Sequence, residues 1–116
     1  MRTYDYTVLS AIDASAGANS VAFNARNIFM FSLQVIATGS PNCAVKIQVS
    51  NDIGEQQANA GFQPTNWSDL SGATVTANSA TTFLIPKTEI CYNWVRVVCA
   101  AGGTGTITAN LNARGA

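Results

Sequence analysis

The sequence predicts an all-β protein, a single antiparallel β-sandwich domain over residues 1–116 with about seven to nine short strands. Three observations lead there. Apolar residues alternate with period two along several stretches, while stripes of period 3.6 are weak. Turn-forming residues punctuate the chain at intervals suited to short strands. The 116 residues are 47% hydrophobic, only 10% charged and formally neutral, a balance that favours a packed core over disorder. The length suits one domain, and neither an internal repeat nor a linker is visible. A jelly roll is one form such a sandwich can take, and a β-barrel is the close alternative.

Each element has its own justification. Residues 4–12 and 21–23 are candidate strands, joined by a loose Ala/Ser/Gly/Asn-rich stretch at 13–20. Residues 28–37 are apolar on both parities, with Phe29, Phe31, Leu33 and Val35 on one and Ile28, Met30 and Ile36 on the other. Such a strand belongs in the centre of a sheet or under cover on both faces. Thr38-Gly39-Ser40-Pro41-Asn42 is turn chemistry. Over residues 44–50, Val45, Ile47 and Val49 point one way and Lys46, Gln48 and Ser50 the other. Residues 51–65 are polar, contain Gly54, Gly61 and Pro64, and exceed a hairpin turn, which predicts a loop with one helical turn near residues 55–58.

Short strands are expected at 65–70 and 73–77, separated by Ser71-Gly72. A further one at 81–85 is closed by Pro86, which has no N–H for a ladder. Residues 92–99 are β-branched and aromatic, as in a central strand. After the glycine-rich turn at 101–105, residues 106–113 alternate again, with Ile107, Ala109, Leu111 and Ala113 facing inward. Ile47, Val97 and Leu111 represent the predicted core.

Composition excludes several kinds of chemistry. Six basic and six acidic residues, scattered singly, make no patch for a phosphate backbone, so no nucleic-acid partner is expected. The longest apolar run, residues 28–31, is far short of a membrane span, so no membrane partner is expected either. There is no histidine, which removes the commonest general base and the commonest metal ligand. Asp52 and Glu55 share a loop and Asp69 follows Trp67 by two, but these read as solvated loop charges, without the alternating acids of a calcium loop. Gly-x-Ser-x-Gly does not occur, and Gly102-Gly103-Thr104-Gly105 lacks the Lys-Ser/Thr of a phosphate loop. The expectation is a protein without enzymatic activity, cofactor, metal or small-molecule substrate.

The start, Met1-Arg2-Thr3-Tyr4-Asp5-Tyr6, has an early acid and no apolar run of signal-peptide length, so synthesis and maturation in a cytosol are expected. Three cysteines, Cys43, Cys91 and Cys99, lack Cys-x-x-Cys spacing. On one strand, Cys91 and Cys99 would lie roughly 26 Å apart at about 3.3 Å per residue, too far for a bridge. A bridge from Cys43 to either is geometrically open, but a reducing compartment favours buried free thiols.

The aromatics admit two readings. Tyr92 and Trp94, at i and i+2, fall on one face of a strand that Arg96 continues, a row on which a sugar ring could stack. Alternatively the pair covers the core while Val95 and Val97 fill the other face. Trp67, beside a turn, is the stronger candidate for a surface contact, or else an anchor closing a loop over the core.

The run from Lys46-Ile47-Gln48-Val49-Ser50-Asn51-Asp52 through Asn66-Trp67-Ser68-Asp69-Leu70 resembles a known pattern. It continues through Tyr92-Asn93-Trp94-Val95-Arg96-Val97-Val98 to a Gly-Thr-led final strand over 105–113. This order is similar to the small β-sandwich structural proteins of tailed-bacteriophage particles, the decoration or cement type. Those chains show a strand ending in Ser-Asn-Asp, a Trp-x-x-Leu segment, a Tyr-x-x-Val-Arg-Val strand and a Gly-Thr-rich hairpin. The resemblance implies a virion protein at the capsid surface, assembled in the host cytoplasm. Its partners would be the major capsid protein and copies of itself, with a homotrimer as a common form. A tail or head–tail accessory protein, or a module binding glycans or a host surface, is the alternative. The shared positions build a sandwich, so no site residues carry over. Exposed Thr and Asn rows would suit packing against protein neighbours, because they offer hydrogen bonds without the desolvation cost of charges.

Overall fold

The computed structural model describes residues 2–53 and 62–116; the helical turn expected near residues 55–58, and Glu55 with it, lie outside these. The strands are β1 (Arg2–Asp13), β2 (Ala18–Asn19), β3 (Phe23–Asn24), β4 (Ile28–Ala37), β5 (Ser40–Pro41), β6 (Cys43–Ser50), β7 (Ser68–Ala77), β8 (Thr82–Glu89), β9 (Trp94–Cys99), β10 (Gly103–Thr104) and β11 (Thr106–Gly115). Seven of these have six residues or more and four have two. No helix occurs among the described residues.

One sheet runs β1-β11-β4-β8 and the other β2-β9-β6-β7, with β3 also pairing β9. β5 and β10 form a two-stranded ribbon at one end. All pairs are antiparallel. With β2 and β3 counted as one interrupted strand, the chain passes between the sheets in the order of a jelly roll, two Greek keys folded into two layers.

Period-two alternation decides what lies between the layers. From one sheet come Leu33, Val35, Ile85, Ile107 and Leu111; from the other Cys43, Val45, Ile47 and Val97, each at most 3% exposed. β11 alternates without a break, turning Ile107, Ala109, Leu111 and Ala113 inward as predicted. β4 holds the bounds predicted for it and sits between β11 and β8, the central place its two-sided apolarity required. Its outer residues Met30 and Ile36 remain half-buried, and Phe29 is exposed.

Other boundaries moved for local reasons. The strand expected at 21–23 is replaced by β2 and β3, with Val21 72% exposed between them. Ser20 causes the interruption: its Oγ accepts the Val97 N–H at 2.8 Å, in the place of a backbone carbonyl. The strands expected at 65–70 and 73–77 merge into β7, and Ser71-Gly72 becomes an irregularity inside it, where Gly72 has φ +78 and the register with β6 shifts. Pro86 does not end β8. It lies on an edge strand, in the register shift opposite Phe31 and Leu33, where no ladder needs its N–H.

Candidate functional site

Two sheet faces carry the polar side chains the fold arranges. On the second sheet, the outward positions of β6, β7 and β9 form one connected network. Lys46 pairs with Asp69 at 3.1 Å, and Gln48 donates from Nε2 to the other Asp69 oxygen at 2.9 Å. Arg96 donates from Nε to Gln48 Oε1 at 2.8 Å, and its guanidinium carbon lies 4.4 Å from the centre of the Trp67 ring. Hydrogen bonds from Gln48 and Lys46 hold the Asp69 carboxyl below its ordinary range.

The Asn51-Asp52 segment beside this network explains the Ser-Asn-Asp motif. Ser50 Oγ, itself buried, accepts the Asp52 N–H at 3.0 Å. Asn51 receives the Asn93 N–H at 3.0 Å. The Asp52 carboxylate receives the N–H groups of Thr65 (2.8 Å) and Asn66 (3.0 Å) together with the Asn66 side-chain amide (3.0 Å). Those donors lower the Asp52 pKa, the Asn66 N–H first. Its stabilising contribution is therefore present above the unfolded carboxylate pKa and lost as pH falls through the lower folded value. We expect Asp52→Asn to destabilise the protein near neutral pH and to flatten its acid limb. Urea midpoints measured from about pH 7 down to about pH 2 check this, and parallel limbs in the two proteins would refute it.

Tyr92, Trp94 and Arg96 do not form an exposed row. Trp94 is only 8% exposed, a correction to its reading as a surface contact. Its indole N–H donates to the Asp52 carbonyl at 3.2 Å, and the Phe62 ring lies 5.7 Å away, so the chain on either side of residues 54–61 covers it. Tyr92 precedes β9 and packs half-buried against the core. The strand begins at Trp94 because Asn51 holds Asn93 where a ladder partner would be. Trp67 is half-buried, donates its N–H to the Pro64 carbonyl at 3.2 Å, and has one ring face occupied by Arg96.

The outer face of the first sheet is different in kind. Register places Thr7, Asn110, Gln34 and Leu84 in one row across four strands. Thr7 donates to Asn110 Oδ1 at 2.9 Å and Asn110 Nδ2 donates to Gln34 Oε1 at 3.1 Å. The next row brings together Asp5, Asn112 and Ser32, with Asn112 Nδ2 donating to Asp5. A hollow of ≈ 290 Å³ lies along these rows, and Leu84, 60% exposed, forms one end of it. The Thr and Asn alternation of β11 foretold part of this face; Gln34 and Leu84 join it only through pairing with β4 and β8, which composition does not specify.

Cys43, Cys91 and Cys99 are unbridged, Cys91 exposed and the other two buried. Burial, with Cys43 next to it, pushes the Cys99 thiol up to about 12, so it stays protonated and inert as a nucleophile. Among the described residues no three His, Cys, Asp or Glu side chains gather as a metal-ligand group.

The fold and these faces define a small jelly-roll domain with polar outer surfaces. Its fold is similar to that of the SPBc2 prophage-derived protein YomS, with a TM-score of 0.61, 13% identity, and coverage of 97% of this chain and 92% of that one. It is also similar to PirA, at a TM-score of 0.53 and 13% identity over 97% of this chain and 93% of the other. A subunit from Bacillus endospore appendages, described as disulfide-linked pili, aligns with a TM-score of 0.50 and 13% identity over 97% of this chain and 88% of that one. At such identity the likeness is one of fold. No protein-family model matches the chain, and no curated protein matches it.

Proposed function

We propose that this chain is a non-enzymatic structural protein of a tailed-bacteriophage particle, a decoration protein that binds and stabilises the lattice of the major capsid protein. The observation that carries the reading is the outer face of the first sheet. There Thr7, Asn110 and Gln34 are already hydrogen-bonded to one another across strands, and the row carries no charge. A preordered, uncharged polar row can meet a protein neighbour with little loss of side-chain entropy, and the carboxylate in the row beside it, Asp5, already accepts a hydrogen bond from Asn112. Many copies on a lattice then hold by multivalency, even where each contact is modest.

The likeness in fold to a prophage-derived protein and to a pilus subunit is compatible with a structural role. The glycan-binding alternative is weakened, because Trp94 is buried and Arg96 covers one face of Trp67. The test uses purified phage capsids lacking the protein. Added chain is expected to co-sediment with them and raise their melting temperature, and Asn110→Lys is expected to reduce bound protein by about tenfold or more, since one desolvated charge costs more than 1.4 kcal/mol. Recovery on tails alone would instead assign it to the tail or head–tail joint. Capsids neither bound nor stabilised overturn the reading.

A further inference from the structure

The geometry points to residues 2–6 of β1 as the site where a second copy of this chain adds its own β1, antiparallel, to make one continuous sheet across a two-fold dimer. Edge strands expose unpaired N–H and C=O groups, and folded proteins usually interrupt them with bulges, proline or lysine. The other edges are interrupted in this way. β8 contains Pro86 and Lys87, β7 contains Gly72 with a register shift, and β2 and β3 have two residues each. The second half of β1 is also broken, by register shifts at Thr7/Leu9 and Leu9/Ile12 and by Ala11 at φ +47. Its first half is not.

From Arg2 to Thr7, β1 pairs with β11 residue for residue, from Gly115 to Asn110. Every second residue of this run turns both its N–H and its C=O away from β11, and among the described residues no backbone group meets them. The run is about as long as an average strand. Below it the sandwich is left open, because the facing β2 and β3 are so short. A hollow of ≈ 520 Å³ there is lined by Tyr4, Tyr6, Phe23 and Arg26 among others, and Tyr6, stacked on Phe23 at 5.4 Å, is still 43% exposed.

Charge selects the register. A two-fold axis perpendicular to the sheet keeps both cores on the same side, so opposed residues must share parity. Arg2, Tyr4 and Tyr6 lie on the core side, opposite Gly115, Ala113 and Leu111; Thr3, Asp5 and Thr7 lie on the outer side. Centring the axis on Asp5 would set two carboxylates against each other. Centring it on Tyr4 sets Arg2 against the partner's Tyr6 ring and Thr3 against the partner's Asp5 carboxylate, each contact made twice. The second register is the complementary one.

This pairing does not depend on the virion reading: a chain that binds capsids as a monomer would leave that reading standing and remove this one. Sedimentation equilibrium of the full chain at about 0.1 mM is expected to show a dimer. Amide exchange is expected to slow in residues 2–6 as concentration rises. In a Cys91→Ser background, mixing Thr3→Cys with Asp5→Cys chains should give several-fold more disulfide-linked dimer than Lys87→Cys, placed on the opposite edge. A monomer at that concentration overturns the proposal. So does a dimer whose slowed amides lie in β7 or β8, a measurement on unmodified chain that requires no variant to fold.

Discussion

Alanine in place of Ile47 is expected to lower the unfolding free energy by about 2–4 kcal/mol. Ile47 is fully buried and sits in β6, between β9 and β7, where it pairs with Val97 across the ladder. Truncation removes apolar contact and leaves a void that the rigid sheets on both sides cannot close. Leu111→Ala on the opposite layer, 3% exposed between β1 and β4, should cost a similar amount, and Val97→Ala should fall at the lower end of the range. Val21→Ala supplies the contrast. Its side chain is 72% exposed, so the change should stay within about 0.5 kcal/mol. Urea unfolding reads the difference as a midpoint shift of about 1 M or more for Ile47→Ala and almost none for Val21→Ala. Costs under about 0.5 kcal/mol at all three core positions would mean that the inward parity of the strands is wrong.

These positions were legible because alternation is a local signal. Each step along a strand reverses the side chain, so Val45, Ile47 and Val49 declare a buried face without reference to any partner. β4 was legible for a related reason, since apolarity on both parities admits few places other than the centre of a sheet. What escaped were features made by contacts between distant segments. Trp94 has the parity of Arg96, which left a place on the surface and a place over the core both open. It is buried because Asp52, 42 positions earlier in the chain, accepts its indole N–H and Phe62 packs against its ring. Arg96 could be placed on the outer face, but its stacking on Trp67 depends on how β7 is entered. Pro86 reads as a strand terminator unless β8 is known to be an edge. The Thr7, Asn110 and Gln34 row exists only once three strands are in register, and register depends on the whole set of turns.

One of those turns sets the second large expected effect. Gly105→Ala should destabilise the fold by about 2–4 kcal/mol, well beyond the same change at Gly72. Both glycines have positive φ, +107 at Gly105 and +78 at Gly72, so alanine is strained at either. Around Gly72 nothing lies within 4 Å of an added methyl, and the expected cost is only that of the backbone, about 1–2 kcal/mol. At Gly105 the methyl would overlap the Thr38 carbonyl oxygen and press on the Cα of Gly39, both of them backbone. That contact is where the turn after β4 meets the entry to β11. Ala14 N–H bonds the Gly105 carbonyl at 2.9 Å, Thr38 N–H bonds the Thr106 carbonyl at 3.0 Å, and the two threonine hydroxyls meet at 2.6 Å. Relief of the overlap must therefore pull several bonds apart together, and it shifts the start of the strand that holds Ile107 in the core. Comparing the two variants by urea unfolding sets a positive φ alone, at Gly72, against a positive φ together with a backbone collision, at Gly105. Equal losses at the two positions would show that the two turns do not abut as described.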